Sequence, residues 1–183
     1  MPNIKVILIT GAAGYIGAML ADQFSRAPDL EKIVAIDIKP CPELLRGNDK
    51  IIWITDDLSS GSWQREAGRH KPEVFIHCAW QLKELYGRRE LQRKLNIEGS
   101  RNAFTFAFRE SSVKKIIHLS TIAAYGARAS NRLAAPLDEN SALQEKEYRY
   151  ATEKIEAEDM LQKFYHDCHQ AKQVLVIRPA TVT

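Results

Sequence analysis

The opening of this chain constrains its fold more than any other stretch. "IKVILIT" (residues 4–10) is rich in β-branched and aliphatic side chains with little polar alternation, the pattern of a strand covered on both faces. It runs without a spacer into glycines, and "GYIGAMLADQFSRA" then places Ile16, Leu20 and Phe24 at helical spacing. A buried strand that turns so tightly into an amphipathic helix commits the chain to layers of helix on sheet.

The cycle repeats to the end of the sequence. "KIVAID" (32–37), "KIIWIT" (50–55), "PEVFIHCAW" (72–80), "KKIIHLS" (114–120) and "QVLVIRP" (173–179) read as strands. Between them, 60–70 reads as a polar helix with serines available for its cap, and 88–109 as one long helix. Residues 126–145 are polar and read as a loop, and 146–168 as a helix. Alternation of this kind predicts an α/β fold: a doubly wound parallel sheet with helices on both faces, built as one domain over residues 1–183.

Composition narrows the class. With 45% hydrophobic and 27% charged residues in 183, the chain can bury one core. A net charge of +3 without a concentrated basic face argues against a nucleic-acid partner. Cys41, Cys78 and Cys168 are odd in number and far apart, so no disulfide framework follows. The apolar run "VILI" is too short for a signal peptide or a membrane span. A cytoplasmic protein is expected.

"TGAAGYIG" sets Gly11, Gly14 and Gly17 between the first strand and the first helix. Glycine there permits a tight turn and a close approach of backbone to a pyrophosphate, which the helix N-terminus favours electrostatically. Asp37, twenty residues after Gly17, ends the second strand, where a carboxylate can accept from ribose hydroxyls and repel a 2′-phosphate. That favours NAD over NADP, although Lys39 lies close by.

In "YRYATEK" (148–154), Tyr150 and Lys154 lie four residues apart on one helical face, while Tyr148 has only Thr152 at that offset. Ala157, Leu161, Phe164 and Cys168 continue an apolar stripe along that side, so the helix should bury the face that carries the pair. A free phenol titrates near ~10, and bringing it to neutrality as a base takes about 4 kcal/mol. A neighbouring cation in a partly desolvated cleft can supply much of that.

Taken together, these motifs resemble the extended short-chain dehydrogenase/reductases, the NAD-dependent epimerase/dehydratase group, over the whole chain. "TGAAGYIG" is similar to that family's glycine loop, "DDL" (56–58) to its acidic pair, "HCAW" (77–80) to its His-x-Ala-Ala/Gly, and "NIEG" (96–99) to its Asn-x-x-Gly. "LSTIAAYG" (119–126) resembles its Ser-Ser/Thr…Tyr-Gly signature, "YATEK" its Tyr-x-x-x-Lys, and "RPATV" its Arg-Pro stretch. The resemblance implies a Rossmann fold, Tyr150 as general acid/base, Lys154 as the ribose-holding partner that lowers the Tyr150 pKa, and Asn96 as a supporting asparagine. Thr121 is implied as the hydroxyl that orients the reacting oxygen, with Ser120 as a neighbouring candidate. Implied cofactor contacts are Gly11, Ala13, Gly14, Tyr15, Ile16 and Gly17 in the loop, Asp37 and Ile38 after the second strand, and Asp57 and Leu58 at the adenine. Cys78, Ala79, Trp80, Asn96, Tyr150, Lys154 and Pro179 complete the implied set. Nucleotide sugars are the implied substrates, and a homodimer paired through the two long helices the implied assembly.

Two departures stand out. Trp80 occupies a position where the family carries a small residue, so it either narrows the pocket and stacks on a ligand or fills core at a strand end. Family members also continue past the Arg-Pro strand into a smaller substrate-binding part, so a chain ending at Thr183 is expected to lack the substrate's other wall. Arg88, Arg89, Arg93 and Lys94 read as a solvated helix face rather than a phosphate clamp. His166, Cys168 and His169 have no second ligand pair, so no metal is expected. His77 and His118, in apolar strands, read as satisfied core histidines rather than catalysts. Two further functions stay open: oxidoreduction of a non-sugar secondary alcohol or ketone, and a non-catalytic NAD-binding regulator.

Overall fold

The computed structural model describes residues 4–128, 131, 136–168 and 172–180. Six strands, β1 (Val6–Thr10), β2 (Lys32–Asp37), β3 (Ile51–Thr55), β4 (Val74–His77), β5 (Lys115–Leu119) and β6 (Gln173–Ile177), form one parallel sheet in the order β3-β2-β1-β4-β5-β6. The chain winds outward from β1 to β3, crosses back, and winds the other way from β4 to β6. The order therefore reverses between β1 and β4, and a crevice opens at their C-terminal ends. This is the doubly wound Rossmann arrangement.

Both sheet faces are covered, as predicted. α1 (Tyr15–Ser25) packs Ala21, Leu20 and Phe24 against Ile7, Ile9, Ile33 and Ala35. On the other face, α2 (Trp63–Arg69), α4 (Gly99–Arg109) and α5 (Arg149–Asp167) bury Trp63, Phe104, Phe106 and Leu161 over Leu8, Val34, Phe75 and Ile116. These strands are hydrophobic on both sides for that reason.

Three helix boundaries differ from the sequence reading, each with a local cause. The predicted 88–109 helix is broken: α3 (Arg89–Arg93) enters a π turn (Lys94–Glu98), in which the Gly99 N–H reaches back to the Lys94 carbonyl, before α4 begins. α5 starts at Arg149 rather than 146, because Glu145 Oε1 collects the N–H groups of Lys146, Glu147 and Tyr148 at 2.9, 2.9 and 3.0 Å. α2 starts at Trp63, and Ser62 does not cap it; its hydroxyl instead donates to Asp56 at 2.6 Å. His169, and Thr181 and Val182 of the Arg-Pro stretch, lie outside the described residues.

Candidate active site

The glycine loop closes the crevice because no side chain would fit. A Cβ on Gly11, whose φ is 69°, would stand 2.5 Å from the Ala79 backbone, and one on Gly17 would stand 2.3 Å from the Gly11 carbonyl. The first contact brings the β1 turn against the end of β4, and the second seats α1 on the loop. Asp37 then locks loop to sheet: Oδ2 accepts from the Ala13 N–H at 2.9 Å and Oδ1 from the Lys39 N–H at 3.0 Å.

A groove runs from this loop across the strand ends. Gly11, Gly14, Asp37, Ile38, Asp57, Leu58, Cys78, Ala79 and Trp80 line it, together with Ile36, Lys39, Asp56, Gln81 and Leu95. The backbone-lined loop at one end and the carboxylate at the end of β2 fit a dinucleotide, with the pyrophosphate at the glycines and the ribose hydroxyls at Asp37. Of the remaining expected contacts, Tyr15 is exposed and Ile16 half-buried on α1, while Gly17 is buried in packing and the Ala13 N–H is taken by Asp37. Pro179 lies outside the groove lining and accepts a backbone hydrogen bond from Ile122 at 3.2 Å.

Next to the groove, the structure brings Thr121, Tyr150, Lys154 and Trp80 together. Thr121 begins the short 3-10 turn Ile122–Tyr125 after β5; its hydroxyl accepts from the Ala123 N–H at 3.2 Å and pulls the Tyr150 phenol pKa down. Ser120, the other candidate, is buried with its hydroxyl unpartnered among the described residues, whereas Thr121 is the hydroxyl that acts on the Tyr150 phenol. Tyr150 is half-buried, with the Trp80 ring edge-on at 6.4 Å and Tyr148 at 5.6 Å. Lys154, one turn on, is 3% exposed; its Nζ donates to the Leu119 carbonyl at 2.6 Å and lies 3.8 Å from the centroid of the Trp80 ring. Trp80 is therefore neither core filler nor remote; it stands between the groove and the lysine.

The electrostatics correct one expectation. Burial pushes the Tyr150 phenol up from its ordinary value; the Thr121 hydrogen bond pulls it down and Tyr148 adds to the rise. Lys154 was expected to lower this phenol, but it points at Leu119 and Trp80 and is not among the groups that shift it. Burial also lowers the Lys154 ammonium itself to about 7, against which Cys78 and Glu158 raise it. Cys78 is pushed up to about 12, first by burial, so it is no nucleophile at neutral pH.

A buried polar chain backs the site. Asn96, in the π turn, accepts from the Gln81 N–H at 2.7 Å and donates to Glu153 Oε2 at 2.9 Å. His77 and His118 are both buried, but only His77 is satisfied as expected; neither ring nitrogen of His118 has a partner among the described residues. Ser100 Oγ donates to the Asn96 carbonyl at 2.6 Å, so His77 Nε2 is the donor to Ser100 at 2.9 Å and Nδ1 accepts from Thr10 at 2.7 Å. Burial holds His77 neutral, lowering it to about 3, and lowers His118 well below its ordinary range.

Sequence reading missed two elements. Glu153, immediately before the lysine, turns inward. Arg178, after β6, grips Glu158 through Nε and Nη2 (2.6 Å for the shortest contact) and donates to the Tyr125 hydroxyl at 2.8 Å. The i,i+4 line Tyr150–Lys154–Glu158 was the available signal for the second. The basic cluster faces solvent as expected, with Arg93 paired to Glu156 at 2.6 Å. Among the described residues no group of side chains could hold a metal, and no described helix is long and apolar enough to cross a membrane.

Comparison with known proteins agrees with this architecture. A solved Bordetella bronchiseptica enzyme, WbmH, in complex with NAD+, superposes with a TM-score of 0.80 at 20% identity, over 97% of this chain and 56% of that one. A Thermotoga maritima UDP-glucose 4-epimerase with UDP-glucose gives 0.78 at 25% identity, over 94% and 54%. Among curated sequences, a decarboxylating sterol-4-alpha-carboxylate 3-dehydrogenase of Candida albicans is 28% identical over 125 residues, 65% of this chain and 35% of its own length. The chain thus spans about a third of that relative and just over half of those solved proteins. The family model described as "NAD dependent epimerase/dehydratase family" matches residues 7–183, and the chain belongs to that family of NAD-dependent enzymes.

Proposed function

We propose that this chain carries the cofactor site and the proton-transfer groups of an NAD-dependent oxidoreductase acting on a secondary hydroxyl or keto group, in the first instance that of a nucleotide sugar. Tyr150 stands edge-on to Trp80, which lines a groove floored by glycines, and the Thr121 hydroxyl acts on its phenol; that placement carries this reading. It sets a phenol and a second hydroxyl where both can hold one substrate oxygen. NAD, when bound, takes up or returns the hydride. In the oxidising direction the substrate hydroxyl passes its proton to Tyr150 as the C–H bond gives up its hydride and a carbonyl forms. In the reducing direction Tyr150 returns that proton to the oxygen. The raised phenol pKa keeps Tyr150 protonated at neutral pH in this arrangement, which suits the acid role; the base role requires Lys154 to come closer.

Asp37 supports NAD over NADP, since its carboxylate ends β2 beside the groove. The nucleotide-sugar substrate is supported by the UDP-glucose named for the Thermotoga neighbour. A second reading, oxidation of a sterol-like secondary alcohol, is favoured by the Candida relative and by the apolar indole of Trp80 beside Tyr150. Pairing of two copies through the outer faces of α4 and α5 is part of the proposal, as is a cytoplasmic setting. The test is a substrate panel of UDP-glucose, dTDP-glucose and a 3β-hydroxysterol with Tyr150→Phe as control. Tyr150→Phe should bind NAD+ as the parent does and show no hydride transfer. Full turnover by that variant would overturn the acid/base assignment, and tight NAD+ binding without turnover on any substrate would favour a regulator.

A further inference from the structure

Two groups enclose the Lys154 nitrogen: the Leu119 carbonyl at 2.6 Å and the face of Trp80, with its ring centroid at 3.8 Å. The lysine is 3% exposed, so a ligand reaches that nitrogen only if one of the two withdraws. Leu119 closes β5 and is paired in register with Ile177 of β6, so the sheet fixes its carbonyl. Trp80 has no comparable anchor. It follows β4 in an irregular segment, its side chain lines the groove, and its indole N–H is buried with no acceptor among the described residues. A cation–π contact is worth little enough to break, and an indole whose N–H lacks a partner loses no hydrogen bond by leaving.

We propose that Trp80 is a displaceable cap on Lys154, which a dinucleotide entering the groove must push aside before the ammonium can engage it. This rests on the dinucleotide reading above and adds a step to it. The cap explains why Lys154 does not act on Tyr150 here: its nitrogen is held by the ring and the Leu119 carbonyl. Moving the indole frees the amine for the ribose hydroxyls and for the phenol together. Trp80 thereby becomes a positioning residue whose contact with Lys154 competes with the cofactor, at a place where a small side chain would impose no such competition.

The protein has three tryptophans, Trp53, Trp63 and Trp80, so 5-fluorotryptophan labelling gives three 19F resonances that Trp80→Phe assigns. On titration with NAD+ the Trp80 resonance should move strongly while that of Trp63, 1% exposed in the core, stays. By calorimetry, Trp80→Ala should bind NAD+ about three- to thirty-fold tighter than the parent, the range expected when a cation–π contact no longer competes. Trp80→Phe should fall between the two, and it carries the comparison if the alanine variant melts early. Should the parent bind NAD+ while Trp80→Ala binds it equally or more weakly, or should the Trp80 resonance be unmoved at saturation, the cap is overturned and the dinucleotide reading stands. A folded parent that takes up no NAD+ at millimolar concentration overturns both.

Discussion

Asn96 Nδ2 donates a 2.9 Å hydrogen bond to Glu153 Oε2, joining the π turn before α4 to the first turns of α5. Both residues are buried, and the same Asn96 holds the Gln81 N–H through Oδ1, just beyond Trp80. One amide therefore ties together the segment that carries the indole and the helix that carries Tyr150 and Lys154.

Asn96→Ala leaves a buried carboxylate and a backbone N–H without partners. It should cost on the order of 2–3 kcal/mol in urea unfolding. Glu153→Gln keeps an acceptor for Asn96 and should stay within about 1 kcal/mol of the parent. Equal losses for the two variants would show that the contact is not what holds the segment.

Lys154 predicts a rise of stability with pH. Burial lowers its ammonium from 10.5 to about 7, so between those values the unfolded chain binds a proton that the folded one has released. The cost of burying the charge is in full force below about 7 and disappears as pH climbs toward 10.5. Lys154→Met should be more stable than the parent at pH 7, by a margin that shrinks toward pH 10. The difference should change by up to about 1.4 kcal/mol per pH unit. Parallel stability curves for the two proteins across that window would refute the lowered value.

His118 acts in the same direction on the acid side. It is fully buried, both ring nitrogens lack partners among the described residues, and its pKa lies well below the ordinary 6.5. Below that value the unfolded state takes up a proton that the folded state refuses, so stability falls as pH drops. His118→Leu removes this dependence and two unsatisfied buried atoms, and should unfold at a more acid pH than the parent. An acid midpoint that stays put would count against it.

Thr121 lowers the Tyr150 phenol through its hydrogen bond, against a larger upward push from burial. Thr121→Val should therefore move the Tyr150 titration, read from 13Cζ-tyrosine NMR, further into the alkaline range. Thr121→Ser should leave it where it is. If valine and serine behave alike, the hydroxyl contact is not acting on Tyr150.

What could be read beforehand divides along physical lines. Gly11, Gly14, Gly17 and Asp37 were legible because their roles follow from backbone geometry at fixed places in a strand–turn–helix unit. Tyr150 and Lys154 were legible as neighbours because helical spacing is local. The direction in which each side chain points was not local. The contact of Lys154 with Trp80 depends on how the end of β4 approaches α5, far away in sequence, and the Tyr150 pKa depends on burial, which no spacing encodes. The π turn was hidden for a related reason. "RELQRKLNIEG" satisfies an α-helical pattern well, and nothing local in it marks the turn at which the Gly99 N–H passes over the usual partner to reach the Lys94 carbonyl.

That turn gives the chain one place where its length can change. An α-helix advances about 100° per residue, whereas a π turn closes one residue later and takes up an extra residue in about the same sweep. Removing one residue from 94–98 therefore keeps Gln92, on the strand-end segment it fastens, in phase with Phe104 and Ala107 in the interior, while a deletion elsewhere in α3 or α4 turns one side against the other by about 100°. Single-residue deletions scanned along 89–109 should therefore be best tolerated at the solvent-facing Lys94 and Glu98.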